Sequence, residues 1–145
     1  MQVQPYLFFD GRCEEALDFY RAALGAEVTA LMRFGQAPES AAQSAQGCAP
    51  IAPDKVMHAN FRIGDTQLMA SDGRAQGQPA FQGFSLSLSP PTDAEAGRLF
   101  NALAEGGQVQ MPLGPTFFAS SFGMVADRFG VSWMLVVPTQ GSPAP

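Results

Sequence analysis

The sequence predicts an α+β fold made of two copies of one βαβββ module. The order strand, helix and three strands occurs over residues 1–75 and again over residues 80–138. Each copy has a single amphipathic helix, so one face of its sheet is covered and the other stays open until a second sheet closes over it. We therefore expect one domain with helices on the outside, a cavity between the two sheets and a flexible tail at residues 139–145.

The pattern that defines module one best is HANFRIGDTQLMASD, residues 58–72. It predicts an antiparallel hairpin with Gly64-Asp65 as its two-residue turn, because glycine in the first position favours this type of tight turn. Ile63 then lies opposite Thr66, which determines both faces. The face expected to pack on the helix consists of Met57, Ala59, Phe61, Ile63, Leu68 and Ala70. The face expected to line the cavity consists of His58, Asn60, Arg62, Gln67, Met69 and Ser71.

The other elements of module one follow from apolar spacing. QPYLFF, residues 4–9, predicts a buried strand, and apolar residues at helical spacing between Cys13 and Gly25 predict a helix that ends at the glycine. Residues 27–35 predict the next strand. Residues 36–54 are rich in Ala, Gln, Ser and Pro and show little periodicity, which is typical of a lid, a partner-binding segment or a disordered loop.

Module two repeats this order. Its first strand is FSLSLS, residues 84–89, in which apolar residues expected to face a helix alternate with serines expected to face the cavity, among them Ser85 and Ser87. The helix is expected to begin at the capping box formed by Thr92 and Glu95, and to end at Gly106. Residues 108–113, 117–126 and 131–137 predict three more strands.

Composition excludes several classes of function. The chain has 145 residues, a net charge of −5 and eight lysines and arginines, which argues against nucleic acid as a partner because phosphate binding needs a basic field. It has no apolar run of about 18 residues and no basic start followed by an apolar core, so we expect neither a membrane span nor a signal peptide, and a cytoplasmic location. Cys13 and Cys48 are expected to be free thiols there.

Three segments carry a family resemblance: DFYRAALGAEV after the first strand, HANFRIGDTQLMASD, and DRFGVSWML near the end. Together with the paired modules they resemble the PhnB-like branch of the glyoxalase, or vicinal oxygen chelate, superfamily, which is also labelled 3-demethylubiquinone-9 3-methyltransferase-like. The resemblance covers nearly the whole chain. It implies two βαβββ modules around a U-shaped mixed-sheet cleft, usually in a homodimer. In the superfamily's enzymes the cleft holds a divalent metal on His, Gln or Glu side chains from the first and last strands of each module.

The metal ligands that the resemblance implies are missing from this sequence. Their places fall on Pro5, on Gly83 or Phe84, and on Met69 and Met134, and the methionine thioether suits soft Cu(I) rather than hard divalent ions. A substitute set of His58 with Asp72 or Gln4 would be poor. We therefore expect neither metal nor cofactor. The methyltransferase label has no support either, since DGRCEE follows the first strand where a nucleotide-binding turn would be glycine-rich.

One possibility is that the polar face of the hairpin is an ordinary solvent-exposed sheet face without a function. Two functional hypotheses remain beside it. In the first, the protein binds a small, partly apolar molecule in the cleft. His58 and Arg62 would then hold its polar or anionic end, and the other contacts would come from Asn60, Gln67, Met69, Ser71, Ser85, Ser87 and Met134. In the second, it is a lyase, isomerase or transferase with His58 as general acid or base, because histidine titrates near neutral pH.

Overall fold

The computed structural model describes residues 1–36 and 51–139. Most of the predicted excursion at 36–54, and all but the first residue of the predicted tail at 139–145, lie outside the described residues. The chain divides into two compact units, Met1–Pro79 and Ala80–Pro145. Within the described ranges, no helix has the length and apolar character needed to cross a membrane.

Module one has the predicted order of elements. Strand β1 spans Tyr6–Phe8, helix α1 Cys13–Leu24, β2 Glu27–Arg33, β3 Val56–Ile63 and β4 Thr66–Ser71, with a 3-10 turn at Phe34–Gln36. The sheet order is β1-β4-β3-β2, with β1 parallel to β4 and the other neighbours antiparallel. Helix α1 ends at Gly25 as predicted, and the glycine adopts the left-handed conformation with φ 68°.

Module two repeats the arrangement with its own helix. Strand β5 spans Leu86–Leu88, helix α2 Asp93–Ala104, β6 Gln108–Gly114, β7 Ala119–Ala126 and β8 Ser132–Pro138. The sheet order is β5-β8-β7-β6, with β5 parallel to β8. The predicted cap is present, since Thr92 Oγ1 accepts a hydrogen bond from the Glu95 amide at 3.1 Å. The predicted α+β fold of two βαβββ modules is thus confirmed.

The predicted register of the hairpin β3–β4 is also confirmed. Its pairs run from Ile63 opposite Thr66 to Ala59 opposite Ala70, and Gly64 in the turn has φ 58°. The helix-side residues of these pairs, Ala59, Phe61, Leu68 and Ala70, are at most 3% exposed. Alternation along the strands therefore places Asn60, Arg62 and Met69 on the other face.

The predicted facing of Met57 is wrong, because the strand is irregular at this residue. In the ladder with β2, His58 pairs with Met32 and Val56 pairs with Arg33, which leaves Met57 unpaired as a bulge. Val56 is consequently the fully buried residue, while Met57 is half-buried. The regular pairs of β3 and β4 end at Ala59, so the predicted pair of His58 and Ser71 does not form.

The predicted facing of Phe84 is wrong as well. Strand β5 begins only at Leu86, so Phe84 lies before the strand and is 46% exposed. Its ring packs edge-on against Phe81, with centroids 6.4 Å apart, instead of entering the core under α2.

Two buried carboxylates hold the modules' connections in place. Asp72, 2% exposed, accepts hydrogen bonds from the amides of Cys13 at 2.7 Å and Val56 at 2.5 Å, which ties the start of α1 to β3. Asp127, 3% exposed, accepts from the amides of Phe129 and Val131 and from Trp133 Nε1 at 2.8 Å. Buried charges require such partners, and both side chains are structural.

Candidate functional site

We call the sheet face of each module that its own helix does not cover its open face. In module one the covered face is identified by Phe61, whose ring stacks on Tyr20 of α1 at a centroid distance of 6.2 Å. On the open face, one row crosses all four strands, because Met69 lies opposite both Tyr6 and Asn60, and Asn60 lies opposite Ala30.

A chain of three hydrogen-bonded side chains occupies the centre of this face. The Tyr6 hydroxyl lies 3.0 Å from His58 Nδ1, and His58 Nε2 lies 2.9 Å from Asn60 Oδ1. Because the amide oxygen of Asn60 accepts, Nε2 carries the proton, and Nδ1 of a neutral imidazole then accepts the proton of the Tyr6 hydroxyl. The imidazole is held in one orientation by residues of two strands.

Apolar side chains surround the polar chain. The ring of Tyr6 packs on Phe8 with centroids 4.8 Å apart, and the Phe8 side chain is 56% exposed. Met32, opposite His58 in β2, is 44% exposed. The face therefore combines exposed apolar surface with a fixed polar centre, which is the composition of small-molecule sites.

The structure brings together only some of the predicted residues of module one. His58, Asn60 and Met69 are neighbours on the open face. Arg62 lies nearer the hairpin turn, opposite the exposed Gln67, and its guanidinium forms an exposed ion pair with Glu27 at 2.5 Å. Ser71 is 4% exposed, and its Oγ accepts a hydrogen bond from the Gly73 amide at 3.1 Å.

Tyr6 and Phe8 were missed because QPYLFF was interpreted as a fully buried strand. In the structure this strand alternates, since Leu7 and Phe9 are buried whereas Tyr6 is half-buried and Phe8 exposed. In the sequence, the only sign of this alternation is the tyrosine, which carries a hydroxyl group in an otherwise apolar run. The pairing with β4 that brings Tyr6 next to Met69 is a parallel contact between distant segments.

The open face of module two has a different chemistry. At one end, Ser85 Oγ lies 2.7 Å from Ser132 Oγ, which donates to Gln110 Oε1 at 3.0 Å. Ser87 lies opposite Met134. The predicted residues Ser85, Ser87 and Met134 thus belong to one sheet, with Ser85 engaged by Ser132.

The residues present do not fit the divalent metal of the superfamily's enzymes. In the sheets, Met69 lies opposite Tyr6 of β1 and Met134 lies opposite Ser87 of β5. These two residues therefore occupy the places expected for Pro5 and Phe84, and each offers only an uncharged hydroxyl group. Both ring nitrogens of His58 are in hydrogen bonds, and both oxygens of Asp72 accept from backbone amides. In residues 1–36 and 51–139, no three His, Cys, Asp or Glu side chains cluster as a metal would require.

A groove of about 410 Å³ at the start of α1 is lined largely by acidic residues. Three of its carboxylates are in ion pairs, Glu14 with Arg33, Glu15 with Arg12 and Asp18 with Arg21. The hydrogen bond from Arg33 lowers the pKa of Glu14 below its ordinary value. The groove is therefore a set of ion pairs at a helix terminus.

Cys13, at the start of α1, is not a nucleophile. Burial, and then the charges of Asp72 and Glu14, raise the pKa of its thiol from 9.0 to about 12. We expect iodoacetamide at about pH 8 to leave Cys13 unmodified in the native protein and to alkylate it in urea, as read by peptide mass spectrometry. Equal rates of alkylation in the two states would contradict the buried position.

The same pKa shift predicts a change of stability in alkaline solution. The unfolded thiol ionises near pH 9, whereas the folded thiol stays protonated up to about pH 12. The protonated thiol thus contributes to the stability of the folded state in full below pH 9. This contribution is lost as the pH rises from 9 to about 12. Urea midpoints measured from pH 8 upwards should fall more steeply for the natural chain than for Cys13→Ala, and parallel curves would contradict the shift.

Comparison with known proteins agrees with this fold. The model of the family described as 3-demethylubiquinone-9 3-methyltransferase matches residues 1–136. Protein YjdN of Escherichia coli strain K12 is 40% identical over 143 residues, which are 97% of each chain. The crystal structure of protein PA1353 from Pseudomonas aeruginosa is 48% identical, with a TM-score of 0.80 over 95% of this chain and 98% of that one.

More distant structures extend the likeness. The PhnB protein from Bacillus cereus is 28% identical, with a TM-score of 0.77 over 94% of this chain and 99% of that one. A glyoxalase-related enzyme from Fulvimarina pelagi shares the fold at 17% identity and a TM-score of 0.59, over 94% of this chain and 88% of that one. The chain therefore belongs to the family described as 3-demethylubiquinone-9 3-methyltransferase, and it shares its fold with the glyoxalase-related enzyme.

Proposed function

We propose that the protein binds a small, partly apolar molecule on the open face of module one, without a metal. The observation that carries the proposal is the chain Tyr6–His58–Asn60, which is fixed by two hydrogen bonds among exposed apolar side chains. A polar centre on an exposed apolar surface orients a ligand whose remaining area is apolar. Phe8 and Met32 supply that area, and the flexible thioether of Met32 adapts to its shape.

The hydrogen bonds of the chain define the polar end of the ligand. Tyr6 donates to His58, so its oxygen keeps acceptor capacity for a ligand donor. The amide nitrogen of Asn60 supplies donors for a ligand acceptor. Because Arg62 is paired with Glu27, a negative charge on the ligand is not required. The ligand class is therefore a small molecule with an apolar body and one end that both donates and accepts.

Proton transfer by a lyase, isomerase or transferase is a second candidate, favoured by the contact between Tyr6 and His58. A substrate proton would pass to the Tyr6 oxygen while the Tyr6 hydroxyl proton passes to His58 Nδ1, so that His58 acts as the base through Tyr6. Under this candidate, Tyr6→Phe abolishes turnover of a bound molecule without abolishing its binding. Under the binding hypothesis, no conversion occurs in either protein.

The experiment is untargeted mass spectrometry of small molecules that copurify with the protein. We expect one class of compound with the natural chain, and its retention should fall about three- to tenfold in Tyr6→Phe and in His58→Ala, the range of a lost hydrogen bond. Gln82→Ala, an exposed position in module two, is the control and should retain the compound. Equal retention by all three variants would overturn the proposed site.

We further propose that the protein acts in the cytoplasm, and that it forms a homodimer, as the resemblance implies. The exposed apolar side chains Val109 and Phe117 of module two support association, because exposed apolar area is the usual mark of an interface. Light scattering at micromolar concentration should give twice the chain mass of 15.4 kDa. A monomer mass at that concentration would contradict the proposal.

A further inference from the structure

Three methionines form a continuous row across the open face of module two. Met111 in β6 lies opposite Met124 in β7, and Met124 lies opposite Met134 in β8. The covered face of this sheet is identified by Gly123, where an added Cβ would meet Phe100 of α2. Met124 is the next residue along β7, so it and its partners lie on the face away from α2.

The row is accessible, and its neighbouring members are directly opposed in the sheet. Met111 is 46% exposed, and Met124 and Met134 are half-buried. Directly opposed residues of antiparallel strands have Cβ atoms about 4.5–5.5 Å apart. The methionine side chain has three rotatable bonds, so the outer two thioethers can lean towards the central one.

The strands that carry the row have no charged residues. Strands β5 to β8 contain no Asp, Glu, Lys or Arg in their sequences LSL, QVQMPLG, ASSFGMVA and SWMLVVP. Hard divalent cations need carboxylate oxygens, which these strands do not supply, whereas thioethers select soft ions. The equivalent row of module one, Tyr6–Met69–Asn60–Ala30, has one thioether, so the three sulfurs are a feature of module two.

We propose that Met111, Met124 and Met134 form a binding site for one soft monovalent cation, Cu(I) or its analogue Ag(I). Three neutral sulfur donors satisfy such an ion without a protein charge, and no proton or electron is exchanged on binding. All three donors belong to module two.

Silver nitrate is the probe, added to the full chain carrying Cys48→Ser, because a thiolate would compete for Ag(I). Cys13 remains, buried in the fold. Protein labelled with ¹³C in its methionine methyl groups gives one signal for each of the seven methionines. We expect one Ag(I) per chain by native mass spectrometry, with shifts confined to the signals of Met111, Met124 and Met134.

Leucine variants identify the ligands, because Leu and Met have similar volumes and the fold is retained. Met124→Leu, which removes the central sulfur, should weaken Ag(I) binding at least about tenfold. Met111→Leu, at an exposed edge position, provides the same test with no effect on the core. Met57→Leu in module one is the matched control, and its affinity for Ag(I) should be unchanged. Shifts spread over all methionines, absence of a stoichiometric complex, or natural affinity in Met111→Leu would overturn the site.

Discussion

Phe61→Ala is expected to lower the free energy of unfolding by about 3–5 kcal/mol, the usual cost of truncating a fully buried aromatic residue. Phe61 is 0% exposed and stacks on Tyr20 with an interplanar angle of 10°, so the alanine would leave a cavity between the sheet and α1. Urea unfolding followed by circular dichroism measures the change.

The matched controls lie on the opposite face of the same strand. Arg62→Ala and His58→Ala should each cost about 1 kcal/mol or less, the range of ordinary surface changes. Arg62 is exposed and loses only an exposed ion pair with Glu27. If either control unfolded the protein while Phe61→Ala was tolerated, the assignment of the two faces would be wrong, and the proposed site would fall with it.

Asp127→Ala is expected to have an effect of similar size in module two, about 3 kcal/mol or more. The carboxylate accepts from two backbone amides and from Trp133 Nε1, and truncation would leave all three donors buried without it. The fluorescence of Trp133, the single tryptophan, reports both the local change and the urea midpoint.

Asp65→Ala is the control for this change, because Asp65 lies in the exposed hairpin turn of module one. It should alter stability by about 0.5 kcal/mol or less. A loss at Asp127 no larger than the loss at Asp65 would mean that the carboxylate does not hold the turn between β7 and β8.

Local patterns were sufficient to predict most of the fold. The alternation around Gly64-Asp65 determines the register of β3 and β4, and Gly25 and Thr92 mark helix ends that the structure reproduces. The bulge at Met57 could not be predicted, because it depends on the pairing with β2 and on Asp72, which binds the Val56 amide. Neither the pairing with β2 nor the hydrogen bond from the Val56 amide to Asp72 produces a repeating pattern of residues in the sequence.

The candidate site was predicted only in part for a similar reason. His58, Asn60 and Met69 follow from the hairpin register alone. Tyr6 enters through the parallel pairing of β1 with β4, and parallel neighbours are joined by long connections that local patterns do not specify. The ion pair of Arg62 with Glu27 likewise depends on β2, and it removes the guanidinium from the role expected for it.

The imidazole ¹⁵N spectrum of His58, the single histidine, tests the proposed site most directly. Bound small molecules are first removed from the purified protein, and the extract that contains them is then added back. We expect the Nδ1 and Nε2 signals to indicate the tautomer protonated at Nε2, and to shift when the extract is added. Tyr6→Phe should abolish the shift. Signals that stay unchanged on addition, or that respond equally in Tyr6→Phe, would contradict a ligand site at Tyr6–His58–Asn60.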